Sequence, residues 1–223
     1  MSLREKQSAA RRRQMLDAAE SLIRTTGGTD FSMLTLADAA EVSAATPYNF
    51  FGTKEGLLFE LLNINLQTFF DEGLSFKAAD PLGQVIETGE NVVTIILRDP
   101  VLLRPLYKVL LGLSDPVHHP KFLRSAFLFY WRALASAREA GIIPTDEDRN
   151  MTASALMSHT MGVLDLWVHE DIADDWFRAK VIHSFVLQLW PSASGAGLDF
   201  LAAKLAAVRA VLTDPELQPA FVG

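Results

Sequence analysis

The sequence predicts an all-α protein of two domains, and three observations carry that prediction. Apolar residues return every three or four positions along most of the chain, the spacing of a helix with one buried face. The segments between Gly and Pro punctuation are too long and too helix-periodic to be strands. A chain of 223 residues with 49% hydrophobic and 21% charged residues can also build a sizeable core.

The first helix is expected from about Ser8 to Thr26, because Met15, Ala18, Ala19, Leu22 and Ile23 form one stripe and Gly27-Gly28 ends it. Ser32 is a suitable N-cap for a short second helix carrying Leu36, Ala39 and Ala40 and ending near Glu41. A tight link at Val42-Ser43 leads to another short helix reaching Phe51. Thr53 then caps a long one with Lys54 in its first turn, Leu57, Leu58, Leu61, Leu62 and Leu66 along it, and an end near Phe76. Further helices are expected over Leu82–Arg98, Val101–Leu113, Lys121–Ala140, Glu147–Glu170, Trp176–Trp190 and Leu198–Leu212, nine or ten in all, the alanine-rich last one on the surface. No internal repeat or low-complexity tract interrupts them.

Composition removes several function classes. Without cysteine there is no disulfide scaffold, thiol nucleophile, thiolate zinc or iron–sulfur cluster. No signal peptide is expected, no run of eighteen apolar residues occurs, and no membrane partner follows; the reading is a cytoplasmic protein. Net charge is −7, against nucleic-acid coating by bulk positive charge. Yet Arg4, Lys6, Arg11, Arg12 and Arg13 face only Glu5 at the N-terminus, a local basic arm.

Two short helices joined by a three- or four-residue link have the geometry of a helix-turn-helix, whose second helix enters the DNA major groove. Ala39 is small where the helices cross, Val42 is apolar where the link folds inward, and Ser43 is placed to cap the recognition helix. Asn49 can pair bidentately with adenine, Thr46 can donate or accept, and the methyls of Ala44 and Ala45 can meet thymine or simply be small. Helix N-termini, hydroxyls such as Ser32, and the Arg11, Arg12 and Arg13 arm would hold phosphates.

The run Ser32-Met-Leu-Thr-Leu-Ala-Asp-Ala-Ala-Glu-Val-Ser43, with Thr46-Pro-Tyr-Asn-Phe-Phe51 and Thr53-Lys-Glu-Gly-Leu57, resembles the N-terminal domain of the tetracycline-repressor (TetR) family over about Arg11 to Leu62. The resemblance implies that Tyr48 and Lys54 contact phosphates while neighbouring recognition-helix residues read bases; Tyr48 could instead be a core residue. It further implies a DNA-binding domain over 1–55 and a helical ligand-binding and dimerisation domain over 56–223. Two positions depart from the pattern. Glu41 stands where the family has glycine in the turn, and Pro47 biases Thr46 away from helical angles, predicting a late or irregular start to the recognition helix.

No metal or catalytic constellation is expected. His118, His119, His159, His169 and His183 complete no metal-binding spacing, although Asp165 and His169 lie one turn apart. No cofactor is expected either, and the chain does not read as an enzyme. Leu66, Phe70, Leu106, Tyr107, Phe127, Tyr130, Trp131, His159 and Met161 are candidates to line an apolar ligand pocket, with a filled core as the alternative. For a two-fold homodimer the candidates are the small ridge Ser154, Ser158 and Gly162, with Trp167, and the stripe Phe177, Val181, Phe185 and Leu189. The sequence therefore reads as a transcriptional regulator, a repressor released from a palindromic operator by a small apolar ligand, or else as a helical ligand-binding or scaffold protein.

Overall fold

The computed structural model describes residues 2–112 and 115–221, and among these every regular element is helical. These described residues form two compact units, one within residues 2–65 and 99–120, the other within residues 66–98 and 121–221.

In the first unit α1 spans Leu3–Thr26. It starts earlier than the expected Ser8 because Ser2 and Glu5 form a reciprocal capping box: Glu5 N donates to Ser2 Oγ at 3.2 Å and Ser2 N to Glu5 Oε2 at 2.8 Å. The apolar stripe begins only at Met15, so periodicity alone does not register the five residues before Ser8. Gly27 ends the helix at φ 70°, a left-handed angle that glycine adopts without steric cost. Helix α2 spans Met33–Ala39 and α3 spans Thr46–Phe51. Helix α4, Lys54–Thr68, has its first turn capped by the Thr53 hydroxyl, which accepts from Gly56 N at 3.1 Å. Its winding continues as a π-helical turn, Phe69–Gly73, stopping short of the expected Phe76.

Helix α5, Pro81–Leu97, is capped by Asp80 and belongs to the second unit. Helix α6, Pro100–Gly112, instead joins the first, packing on α1. Helix α6 and most of α4 belong to the same compact unit as the first three helices. The expected helix end at Leu113 lies outside the described residues.

The remaining helices are α7, His119–Ala133, α8, Ala135–Glu139, α9, Asp146–Val168, α10, Asp174–Leu189, and α11, Ala196–Leu212. The single helix expected over Lys121–Ala140 is interrupted at Leu134, whose side chain is fully buried; this break supplies the extra element, α8. Thr145 caps α9, and Asp146, Glu147 and Asp148 complement the positive end of its dipole. Helix α10 is the axis of the second unit, packed by α5, α9 and α11. Gly89 permits the α5 contact, since a Cβ there would come within 3.2 Å of the Phe185 ring. The buried hydroxyls of Thr88, Thr160 and Ser184 each donate to a carbonyl of their own helix, so none is left unpaired. Helix α11 lies on the surface as expected, turning Leu201, Leu205 and Val208 inward and its alanines Ala202, Ala203, Ala206 and Ala207 outward.

Candidate nucleic-acid interface

The candidate surface is assembled around the turn between α2 and α3. Ser32 caps α2, its hydroxyl accepting from Thr35 N at 3.0 Å. The helix ends at Ala39 rather than near Glu41, and Glu41 takes the left-handed φ of 49° that its replacement of glycine foretold. That angle costs a non-glycine residue about 1 kcal/mol, offset here by closure of the turn: Glu41 N donates to Asp38 O at 3.1 Å and Val42 N to Ala37 O at 2.9 Å. Gln14 of α1 adds a brace, its Nε2 donating to Ala40 O at 2.8 Å.

Two expectations about α3 are corrected. Ser43 does not cap it: the Ser43 hydroxyl lies 2.7 Å from the Thr46 hydroxyl, and the N-cap is Ala45, which has no side-chain cap. Nor does Pro47 delay the helix, which begins at Thr46; proline in the first turn replaces an amide that would have had no helical partner. Being only six residues long and uncapped, α3 is held by tertiary contacts, chiefly the buried rings of Pro47 and Phe51. Gly52 turns the chain out of it at φ 73°.

Those anchors leave Ser43, Ala44, Ala45, Tyr48 and Asn49 exposed and Thr46 half-buried. Tyr48 is 54% exposed, so its ring is not part of the core. Lys54, at the start of α4, holds its Nζ 5.3 Å from the centre of the Phe31 ring. The basic arm is divided. Arg11 is exposed, and Arg13 is exposed with an ion pair to Asp17 at 2.7 Å. Arg12 is half-buried and paired within the chain, its Nε and Nη2 donating to the two carboxylate oxygens of Glu60 and its guanidinium lying 5.1 Å from the centre of the Phe51 ring. Glu60 went unnoticed in the sequence because its partner is 48 positions away.

The other candidates fall in different places. Leu106 and Tyr107 are buried in the first unit; Leu66, Phe70, Phe127, Tyr130, Trp131, His159 and Met161 belong to the second. There the Phe129 ring meets Phe70 at 5.7 Å and Tyr130 at 5.2 Å, both edge to face. Burial pushes the Tyr130 phenol up to about 12, opposed by a hydrogen bond with Thr160. Trp131 is covered by the Arg149 guanidinium, 3.4 Å from its ring centre, while Arg149 Nε donates to Trp131 O at 2.8 Å. Phe127, His159 and Met161 are half-buried.

The dimer candidates also separate. Ser154, Ser158 and Gly162 form an exposed ridge on α9, and a Cβ at Gly162 would meet no atom within 4 Å. Trp167, Phe177, Val181, Phe185 and Leu189, by contrast, are taken up within the chain's own core, Trp167 and Phe177 stacking at 5.4 Å. They do not form an outward stripe, because α5, α9 and α11 surround α10. Asp165 and His169 make a surface pair, Nδ1 to Oδ1 3.5 Å. No group of three potential metal ligands occurs among the described residues, and no helix among them is long and apolar enough to cross a membrane.

Residues 15–61 match the profile of the bacterial regulatory proteins of the tetR family, a span containing α2, α3 and their turn. No curated protein matches the chain. Solved structures share its fold. A TetR transcriptional regulator from Rhodococcus sp. RHA1 is 19% identical with a TM-score of 0.66, the alignment covering 82% of this chain and 97% of that one. A TetR-family transcriptional regulator from Marinobacter aquaeolei VT8 is 16% identical with a TM-score of 0.59, covering 88% and 98%. SmeT, the repressor of the Stenotrophomonas maltophilia multidrug efflux pump SmeDEF, is 19% identical with a TM-score of 0.53, covering 81% and 87%. The helix-turn-helix segment is thus similar to the DNA-binding part of the bacterial regulatory proteins of the tetR family, and the chain as a whole shares the fold of these solved regulators.

Proposed function

We propose that the protein is a cytoplasmic homodimeric repressor that binds a palindromic operator and is released by a small apolar ligand. The observation that carries this reading is the outward surface Ser43–Asn49, held up by the buried Pro47 and Phe51 beneath it. Asn49 would read adenine, Ala44, Ala45 and Thr46 neighbouring bases, and Tyr48, Ser32, Lys54, Arg11 and Arg13 would lie on phosphates. One α3 reads too few base pairs for an operator, which is the physical argument for a two-fold pair. Its seam would run along the exposed α9 ridge of Ser154, Ser158 and Gly162, where small side chains allow close helix approach. Residues 1–55 would then act as the DNA-binding domain and 56–223 as the ligand-binding and dimerisation domain. The aromatic cluster of Phe70, Tyr130 and Trp131 would favour an apolar ligand, and a ligand that prefers the DNA-free dimer must weaken operator binding by the factor that operator weakens its own.

Selection of bound duplexes from a genomic pool tests the reading. Recovery of one palindromic sequence supports it, and Asn49→Ala should then relax base preference, whereas Lys54→Ala should weaken every duplex alike and lower the salt slope by about 0.9. Failure to enrich any sequence at low salt would leave the protein a ligand-binding or scaffold protein.

A further inference from the structure

Arg12 stands in a basic arm, where its charge would ordinarily be assigned to the DNA backbone. Its surroundings argue otherwise. Nε and Nη2 donate to the two oxygens of the Glu60 carboxylate in a fork-to-fork pair, and the guanidinium carbon lies 5.1 Å from the centre of the Phe51 ring. Glu60 holds the guanidinium in its charged form by hydrogen bonding first and by opposite charge second, against the opposing effect of partial burial. Arg12 therefore joins three elements: α1, which carries it, α4, which carries Glu60, and the last residue of α3.

The link matters because α3 has little to hold it. It has six residues, no side-chain N-cap, and a left-handed glycine directly after it. Its pose depends on what grips Pro47 and Phe51, and the guanidinium over Phe51 is one such grip. We infer that Arg12 and Glu60 act together as positioning residues that fix the recognition helix on its support, and that neither spends its charge on phosphate. The inference rests on the DNA-binding reading and has an unusual corollary. Removing an acidic charge from a DNA-binding unit ordinarily strengthens attraction to DNA; removing the charge of Glu60 should weaken recognition.

The test uses the full chain, a duplex recovered by the wild type from a random pool, and poly(dI-dC) as a sequence-neutral comparator. Arg12→Gln and Glu60→Gln should each lower affinity for the recovered duplex roughly ten-fold, the scale of a lost charge-assisted hydrogen bond. The double variant should be no weaker than either single one, and the salt slope should stay at its wild-type value. Arg12→Lys keeps the charge but lacks the planar fork, so it should behave like Arg12→Gln. A slope reduced by about 0.9 in Arg12→Gln, rescue by lysine, or tighter binding by Glu60→Gln would overturn the inference. Hydrogen exchange at the amides of residues 48–52 supplies an arm independent of DNA: exchange should quicken in Arg12→Lys and Glu60→Gln, and unchanged exchange in both would count equally against the inference. Should the wild type recover no duplex, the DNA-binding reading falls while the exchange arm still decides whether Arg12 and Glu60 hold α3. If Arg12→Gln does not fold, Arg12→Lys and Glu60→Gln carry both arms.

Discussion

The Tyr107 hydroxyl donates to Asn65 Oδ1 over 2.8 Å, joining α6 to α4 across 42 positions of sequence. Two further contacts anchor the same stretch of chain to the first unit. Before α6, Arg24 grips both oxygens of Asp99 at 2.7 and 2.5 Å, and after it the His118 ring stacks on Phe59 at 5.5 Å. Helix α6 is thus a component of the unit that carries α3, although most of the chain around it in sequence belongs to the other unit.

Tyr107→Phe keeps the buried ring and removes only the hydroxyl. The loss should be about 1 kcal/mol, the net value of one part-buried hydrogen bond. Urea unfolding should show a lower midpoint at an unchanged denaturant slope; an unchanged midpoint would mean that the hydroxyl contributes nothing to docking α6.

Asp115 offers a pH test of the segment after α6. The backbone amide of His118, then its side chain, hold the Asp115 carboxyl down at about 2 from an ordinary 3.8. A carboxyl depressed by folding stabilises the native state above its unfolded value and loses that contribution as pH falls through the folded one. Stability should therefore decline between about pH 4 and pH 2, and Asp115→Asn should remove this part of the decline. NMR titration of the Asp115 side chain would check the assignment directly.

His159 lies on α9 and His183 on α10, and the charge of Lys180 acts on both, with Arg209 of α11 acting on His183 as well. Burial first, and these positive neighbours second, push both imidazoles below their usual range. Folding then favours the neutral rings, so their contribution is present above about pH 6.5 and is lost as pH falls toward the folded values. The melting temperature should drop from pH 7 to pH 5, and the double variant His159→Gln, His183→Gln should show a shallower drop. An identical pH profile in that variant would assign the acid sensitivity elsewhere.

Gly162→Trp is a clean probe of the proposed seam, because the open space around Gly162 lets the protomer accept a large side chain. Light scattering at micromolar concentration should report a dimer for the wild type and a monomer for the variant, with unchanged helicity by circular dichroism. Association that survives the substitution would exclude this ridge.

Much of the first unit was legible because its determinants are local. Ser32 and Thr53 cap amides three residues ahead, Gly27 stops α1, and Glu41 pays for its position with a left-handed φ, all through contacts spanning a turn or less. The apolar period likewise marked the segments of α5, α6, α9, α10 and α11. Around α3 local signals compete. Pro47 argued for a delayed α3 yet fits its first turn, and Ser43 looked like a cap but pairs with Thr46.

The sequence by itself determined that the chain is helical, that Ser32 and Thr53 cap α2 and α4, and that Tyr48 and Asn49 sit on a short helix after a tight turn. Only the tertiary structure decided what those helices pack against. It turned Arg12 toward Glu60, gave α6 to the first unit, and buried Phe177, Val181, Phe185 and Leu189 inside the second. The reason is physical: a cap or a turn is closed by neighbours within a few residues, whereas an apolar stripe or a charged side chain specifies only that it needs a partner. Which partner it meets is settled by how distant helices pack together.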